Sequence, residues 1–338
     1  MPFLRKKSSP QCNRSQQTVR GKFDMHLAIN WKRLLADPEA EVRSSICKNL
    51  TKLIPLLDLE FVQSSLLEEM EKLVQDESPF TRSSLSCCIG VLACRLNGDS
   101  TIVDRITSFL NTLLRDPSTE VRLNALKSIS ENVEDFSCLS SLSTSLIYAI
   151  VQLSNDASWR IRIEVLRLAP MLSKKLGALS SILLQGLIDR SFSVRKEAAQ
   201  MLFECASLFG IKWIVENFIP FMLTYSKHSN HLIRQASLFA FQALISFCTK
   251  EVVEEYYLPT LGLLAEDPVP NIRYCLIPII LDLKYLSKTI GRKGSPSNAI
   301  CEALEKIKDA LLCDAHPIVR AEAEKTLKTD CERADTLR

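Results

Sequence analysis

One phrase returns eight times along these 338 residues: a helix-like stretch, most often leucine-rich, an aspartate in seven of the eight copies, and an arginine six positions later. It reads LLADPEAEVR (34–43), LVQDESPFTR (73–82), LLRDPSTEVR (113–122), QLSNDASWRIR (152–162), GLIDRSFSVR (186–195), YSKHSNHLIR (225–234), LLAEDPVPNIR (263–273) and LLCDAHPIVR (311–320). Successive arginines lie 39, 40, 40, 33, 39, 39 and 47 residues apart. Self-similarity at such a period is the signature of a repeat array, in which each unit buries its apolar side only against its neighbours. A chain built this way is not free to become a globule of mixed sheet and helix.

The residues around each phrase give the units their contents. Val121, Ala125, Leu126, Ile129 and Val133 recur at the spacing of one helix face, and so do Ile106, Phe109, Leu110, Leu113 and Leu114 before them. Asp-Pro at 37–38, 116–117 and 267–268 separates the two helices, because the residue before proline avoids the helical region and proline suits a first helical turn. Each unit is therefore predicted as helix, tight turn, helix. The fold class is all-α, a superhelical solenoid of about eight antiparallel helix pairs over 26–327. Residues 1–25 form a basic tail expected to be disordered, which also admits readings as an organelle presequence or a nuclear signal. Residues 328–338 form a polar end. Two intervals depart from the rhythm: the short one follows LGALSS (176–181), and the long one holds KTIGRKGSPSN (288–298), which reads as a surface loop.

Composition narrows the function by exclusion. Net charge is +3, and residues 1–25 alone carry +5, so the body is close to neutral. That is a poor face for phosphates, and no nucleic-acid partner is expected. No apolar run reaches the length of a membrane span, so a soluble protein with no membrane partner is expected. The twelve cysteines lack C-x-x-C spacing and follow no secretory signal. They are expected to be reduced, mostly buried thiols of a cytoplasmic protein that can also be nuclear. The histidines 26, 228, 231 and 316 are scattered, and neither a metal site, a cofactor nor a nucleophile motif is expected. Trp31 and Trp213 fall in apolar stripes and are expected in the core.

The recurring charges have a structural reading. Asp37, Arg43, Asp76, Arg82, Asp116, Arg122, Asp156, Arg162, Asp189, Arg195, Arg234, Asp267, Arg273, Asp314 and Arg320 form a ladder in which each arginine bridges to an acidic or carbonyl group of its own or the adjacent turn. The sixth unit carries His228 where the others carry aspartate.

The match goes beyond a bare spacing. The period and the D-x-x-x-x-V/I-R turn resemble HEAT repeats. The stretches IVQLSNDASWRIRIEVLRLAPMLSKKLG (150–177), LLADPEAEVR, LLRDPSTEVRLNALKSISENV, FGIKWIVENFIP (209–220) and EDPVPNIRY (266–274) resemble, in order, repeats of the protein phosphatase 2A scaffold (A) subunit family. The resemblance covers about residues 27–327 and falls on the last eight of that family's roughly fifteen repeats. It implies a non-catalytic scaffold that holds a serine/threonine phosphatase catalytic subunit on the turns of its last five repeats. It also admits a B-type regulatory partner, although the family docks those mainly on the N-terminal repeats, which have no counterpart here.

Three residues before each ladder arginine the chain reads Ala40, Pro79, Thr119, Trp159, Phe192, His231, Pro270 and Pro317. Three successive units present a ring there, and Val269 stands beside Pro270. Exposed rings in line mark an interaction ridge; the alternative is that each ring folds back onto its own helix pair. Through the resemblance, Trp159 and Arg160 match the family's Trp-Arg contact to the catalytic subunit. Phe192 and His231 replace tyrosines, and Val269 matches a valine. A rival function is a transport or adaptor solenoid, which would bind cargo peptides along its second helices, on the concave face.

Overall fold

The computed structural model describes residues 25–57, 59–95, 100–132, 144–172, 179–291 and 298–328. Every element among them is helical. The tail, Val133 and most of the polar end lie outside the described residues, as do 173–178 and 292–297 near the two irregular intervals. The architecture is that of a HEAT-repeat α-solenoid, with eight helix pairs in chain order. First helices run over Met25–Leu35, 59–73, Ser100–Leu113, Thr144–Gln152, Leu179–Leu187, 211–225, 250–265 and Asn298–Leu312. Second helices run over Ala40–Leu53, 79–95, Thr119–Ser130, 159–172, 192–209, His231–Leu244, Pro270–Gly291 and 317–328.

Contacts divide the chain into two compact units, Met1–Leu153 and Ser154–Arg338. The division falls in the turn of the fourth repeat, inside what the sequence reads as one run over 26–327. The first unit holds repeats 1–3 and the first helix of repeat 4. The second holds the remaining helix of repeat 4 and repeats 5–8.

Each unit buries its own apolar stripe. In the first, Leu50, Ile54, Leu66, Leu67, Met70, Leu85, Ile89 and Leu92 are fully covered. The second helices of repeats 2 and 3 approach so closely at Gly90 that an added Cβ would collide with the Ser128 carbonyl oxygen. In the second unit the core is wider and takes rings. Tyr257 is fully buried, its ring 4.5 Å from that of Phe241, and its hydroxyl donates to the Phe241 carbonyl at 3.2 Å.

Several details differ from the sequence expectation. Helix runs through Gly291, so residues 288–291 of the expected loop continue the second helix of repeat 7, and Asn298 already opens the next one. The short interval holds a nine-residue first helix, Leu179–Leu187. Pro38, Pro117 and Pro268 lie two residues ahead of their second helices, whereas Pro79, Pro270 and Pro317 occupy the first helical position. Trp31 and Trp213 are half-buried and not core. Trp213 packs on Phe209 and Phe218 at 5.1 and 4.9 Å, and the fully buried Phe218 takes the inner place.

One run, Phe192–Asn217, is long and apolar enough by composition to be compared with a membrane span. Gly210, at φ 76°, breaks it into the second helix of repeat 5 and the first of repeat 6. Left-handed backbone at that point is open to glycine without a Cβ clash. The nine described cysteines are all free. Cys47, Cys88, Cys205 and Cys248 are buried, but Cys87, Cys301 and Cys313 are exposed, so the expectation of mostly buried thiols holds for fewer than half of them. Burial pushes Cys47 and Cys205 up to about 12 and Cys248 up to about 11, so these stay protonated thiols and poor nucleophiles.

Candidate functional site

The turns are built the same way in every repeat, and that construction sets where the candidate binding residues stand. The ladder aspartate lies two residues ahead of the N-cap. Its Oδ1 accepts the N-cap backbone N–H, at 2.8 Å from Ser78, Ser118 and Ser158 and 2.7 Å from Ser191. The N-cap residue then sits in extended backbone, φ −80° and ψ 120° at Ser158, and the second helix begins at the next residue. The position three before each arginine is thus the first helical residue in all eight repeats: Ala40, Pro79, Thr119, Trp159, Phe192, His231, Pro270 and Pro317. A side chain there projects from a turn that the aspartate holds rigid from within.

The arginine holds the same turn from the other side. In the first unit Arg43 forks onto Asp76 of the next repeat (Nε–Oδ2 2.7 Å, Nη2–Oδ1 3.0 Å) while its Nη1 donates to the carbonyls of Asp37 and Pro38. Arg82 does the same with Asp116 at 2.6 and 3.1 Å. Arg122 reaches back to the Asp116 carbonyl at 2.7 Å. In the second unit Arg162 forks onto Asp189 (2.7 and 2.8 Å), Arg234 onto Asp267 (2.6 and 2.9 Å) and Arg273 onto Asp314 (2.6 and 2.8 Å). Arg162 also donates to the Asp156 carbonyl, and Arg320 to that of Asp314.

These forks are nearly dry, with Arg43 and Asp76 side chains both under a tenth exposed. Burial alone would push the Asp76 carboxyl up, but the Arg43 guanidinium and the Ser78 N–H outweigh it and hold the group below the usual range. The Arg273 fork lowers Asp314 in the same way. The same hydrogen bonds raise Arg43, Arg82 and Arg273.

One rung differs. Arg195 is buried and donates Nη1 to the Asp189 carbonyl at 2.9 Å, but its Nε has no hydrogen-bond partner. The residue opposite is His228. Its Nδ1 still accepts the Asn230 N–H at 3.0 Å, which keeps the turn, but an imidazole offers no second oxygen for a fork. The Arg195 guanidinium carbon lies 5.6 Å over the Phe192 ring.

On this frame Trp159 is 47% exposed and Phe192 56%. Arg160 and His231 are exposed and Val269 is half-buried. All five stand on repeats 4–7 within the second unit. Phe192 packs both ways: Arg195 of its own helix lies over its ring, and Phe239, on the second helix of repeat 6, meets it edge-on at 6.1 Å. Three further apolar residues at the turns escaped the sequence pattern or weaken it. Phe80 is 77% exposed, and it stands in the first unit. Leu232 and Ile318 are also exposed large hydrophobics. Each follows the first helical residue by one; the sequence already marks Phe80 there as an exception to the asymmetry, and reading that position in every turn would have found Leu232 and Ile318. Among the described residues no group of three His, Cys, Asp or Glu is placed to hold a metal ion.

No protein-family model matches the chain. Over 59 residues it is 41% identical to the regulatory A subunit of protein phosphatase PP2A from Schizosaccharomyces pombe, a match that takes in 18% of this chain and 10% of that protein. The solved structure of the karyopherin Kap121p, bound to the extreme C-terminus of the protein phosphatase Cdc14p, superposes with a TM-score of 0.68 at 15% identity, over 90% of this chain and 33% of the karyopherin. At that identity the likeness is one of fold.

Proposed function

We propose that this chain is a non-catalytic scaffold that holds the catalytic subunit of a protein phosphatase 2A-type complex on the turns of repeats 4–8. The observation that carries the reading is the Trp159–Arg160 pair, both exposed at the start of a second helix whose turn is braced by Asp156 and Arg162. Exposed Trp and Arg on rigid backbone are the residues that dominate interface energies. The partial identity to a regulatory A subunit of protein phosphatase PP2A supports the choice of partner. Phe192, His231 and Val269 extend the contact along the same series of turns. On this reading the scaffold is a cytoplasmic protein that can also be nuclear.

Calorimetry with a purified PP2A-type catalytic subunit tests this. Trp159→Ala should weaken binding by roughly 2 kcal/mol, about thirtyfold, with helicity unchanged. Arg160→Glu should cost more than Arg160→Ala, because it adds repulsion to the lost contact. Thr119→Ala and Phe80→Ala are the controls and should bind within about 0.5 kcal/mol of the parent. Equal losses at Phe80 and Trp159 would spread the interface beyond repeats 4–8, and a normal Trp159→Ala would remove it from the ridge. The rival reading, an adaptor that takes peptides along its second helices, has an observation of its own in a groove of the second unit.

A further inference from the structure

The second helices of repeats 5, 6 and 7 lie side by side, and each turns a regular stripe toward one groove of about 710 Å³. The stripes are Phe192, Lys196, Gln200 and Phe203 on the first, Phe239, Gln242 and Ser246 on the second, and Asp282 and Tyr285 on the third. These spacings of three, four and seven are single helix faces. Phe192, Phe203 and Tyr285 are large, exposed rings, and Phe203 is propped against Phe247 at 5.2 Å. The groove is of the size that takes several side chains of a ligand, with an apolar lining and a few convergent polar groups.

Its charges decide which ligand. Lys196 is exposed. Asp282 is half-buried, has no ion-pair partner among the described residues, and is met by the Gln242 amide; burial raises its carboxyl above the usual range. A half-buried acid beside the rings of Tyr285 and Phe239 is best satisfied by a cation that can pair with the carboxylate and lie against the rings. One acid against one lysine is no anion-binding face, so a nucleic acid or an acidic membrane does not fit.

We propose that this groove binds an extended peptide of another protein, one with a bulky apolar side chain seated among Phe192, Phe203 and Phe239 and a neighbouring Arg or Lys paired with Asp282. The amides of Gln200 and Gln242 supply donors and acceptors for the peptide backbone. The groove opens at Phe192, which also belongs to the turn series, so a peptide here can extend from a protein held on the turns. It shares Phe192 with the phosphatase reading, but Asp282 and Phe203 lie away from the turns, so the pairing with Asp282 is tested apart from that reading.

The test uses the full chain and an array of fluorescein-labelled nonapeptides of four compositions: apolar with Arg, apolar with Glu, Ser with Arg, and Ser with Glu. Polarisation should show binding by the apolar-Arg set alone. Asp282→Asn should weaken that set by about tenfold, and Tyr285→Ala should weaken it as well. Trp159→Ala should leave it unchanged. Charge reversal on the peptide repeats the test without altering the protein, so a poorly folded variant cannot decide it. Binding that survives Asp282→Asn, a preference for the Glu peptides, or no binding by any set would overturn the proposal.

Discussion

Two neighbouring rungs of the second unit, Arg234–Asp267 and Arg195–His228, differ by one residue in the acceptor and show that the ladder does two separable jobs. Within a turn the acceptor need only receive one N–H. Asp267 Oδ1 does so from Val269 at 2.8 Å, and His228 Nδ1 does so from Asn230 at 3.0 Å. Between repeats the acceptor must supply two oxygens in the plane of a guanidinium. Asp267 supplies both, and His228 cannot. The turn of repeat 6 therefore keeps its form, with a side-chain cap from Asn230 to the Leu232 N–H as an addition that the other turns lack. The loss shows up one repeat earlier, as a buried Nε without a partner on Arg195.

The largest expected effect breaks the intact rung. Asp267→Ala strands a buried guanidinium and should destabilise the protein by about 3–5 kcal/mol in urea unfolding, with a transition that spreads over more than one step. A loss no larger than that of an average surface change would mean that the fork is ornamental.

Restoring the broken rung comes next. The cost of burying Arg195 is already present, so His228→Asp should stabilise by about 1–3 kcal/mol, as an unsatisfied donor acquires a charged acceptor. The gain should depend on pH. Carboxyls held below their ordinary range, as Asp76 and Asp314 are, contribute stability that is fully present above the unfolded value of about 4 and fades as pH falls through the folded value. The difference between His228→Asp and the parent should therefore begin to fade below about pH 4 and be gone once pH passes below the folded carboxyl's value. A gain that persists there would point to packing rather than the fork.

The smallest effect is expected where the rung is already open. Arg195→Met removes an orphaned donor and a back-bond to Asp189 and should change stability by less than about 1 kcal/mol, whereas Arg234→Met should cost several times more. Equal losses would erase the distinction between the two rungs.

The eightfold phrase was enough to read the helix pairs, the position of every turn and the candidate ladder, because a repeat writes its local geometry into the chain again and again. The turn position three before each arginine, from Ala40 to Pro317, was legible, but that it opens the second helix was not, because Asp-Pro at 37–38, 116–117 and 267–268 pointed to an earlier start. The substitution at 228 was legible too, as the one break in the pattern. Other features were not legible, for a shared reason: they depend on which neighbour a side chain meets. Whether Trp213 is core or rim depended on Phe218 taking the inner site. Gly210 passes for an ordinary helical residue in sequence, and only the left-handed backbone shows that one helix ends and another begins there. The partner of each arginine, whether its own turn or the next, was left open by spacing alone. It was decided by the stacking of adjacent repeats, which brings Asp267 within 2.6 Å of Arg234 across 33 residues of chain. The groove lined by Phe203, Gln242 and Asp282 exists only because three second helices lie against one another, so that three ordinary helix faces, far apart in sequence, become one surface. Periodicity determines what each repeat is, since it records local bonding. Packing between repeats determines what they jointly present, since no single repeat contains that information.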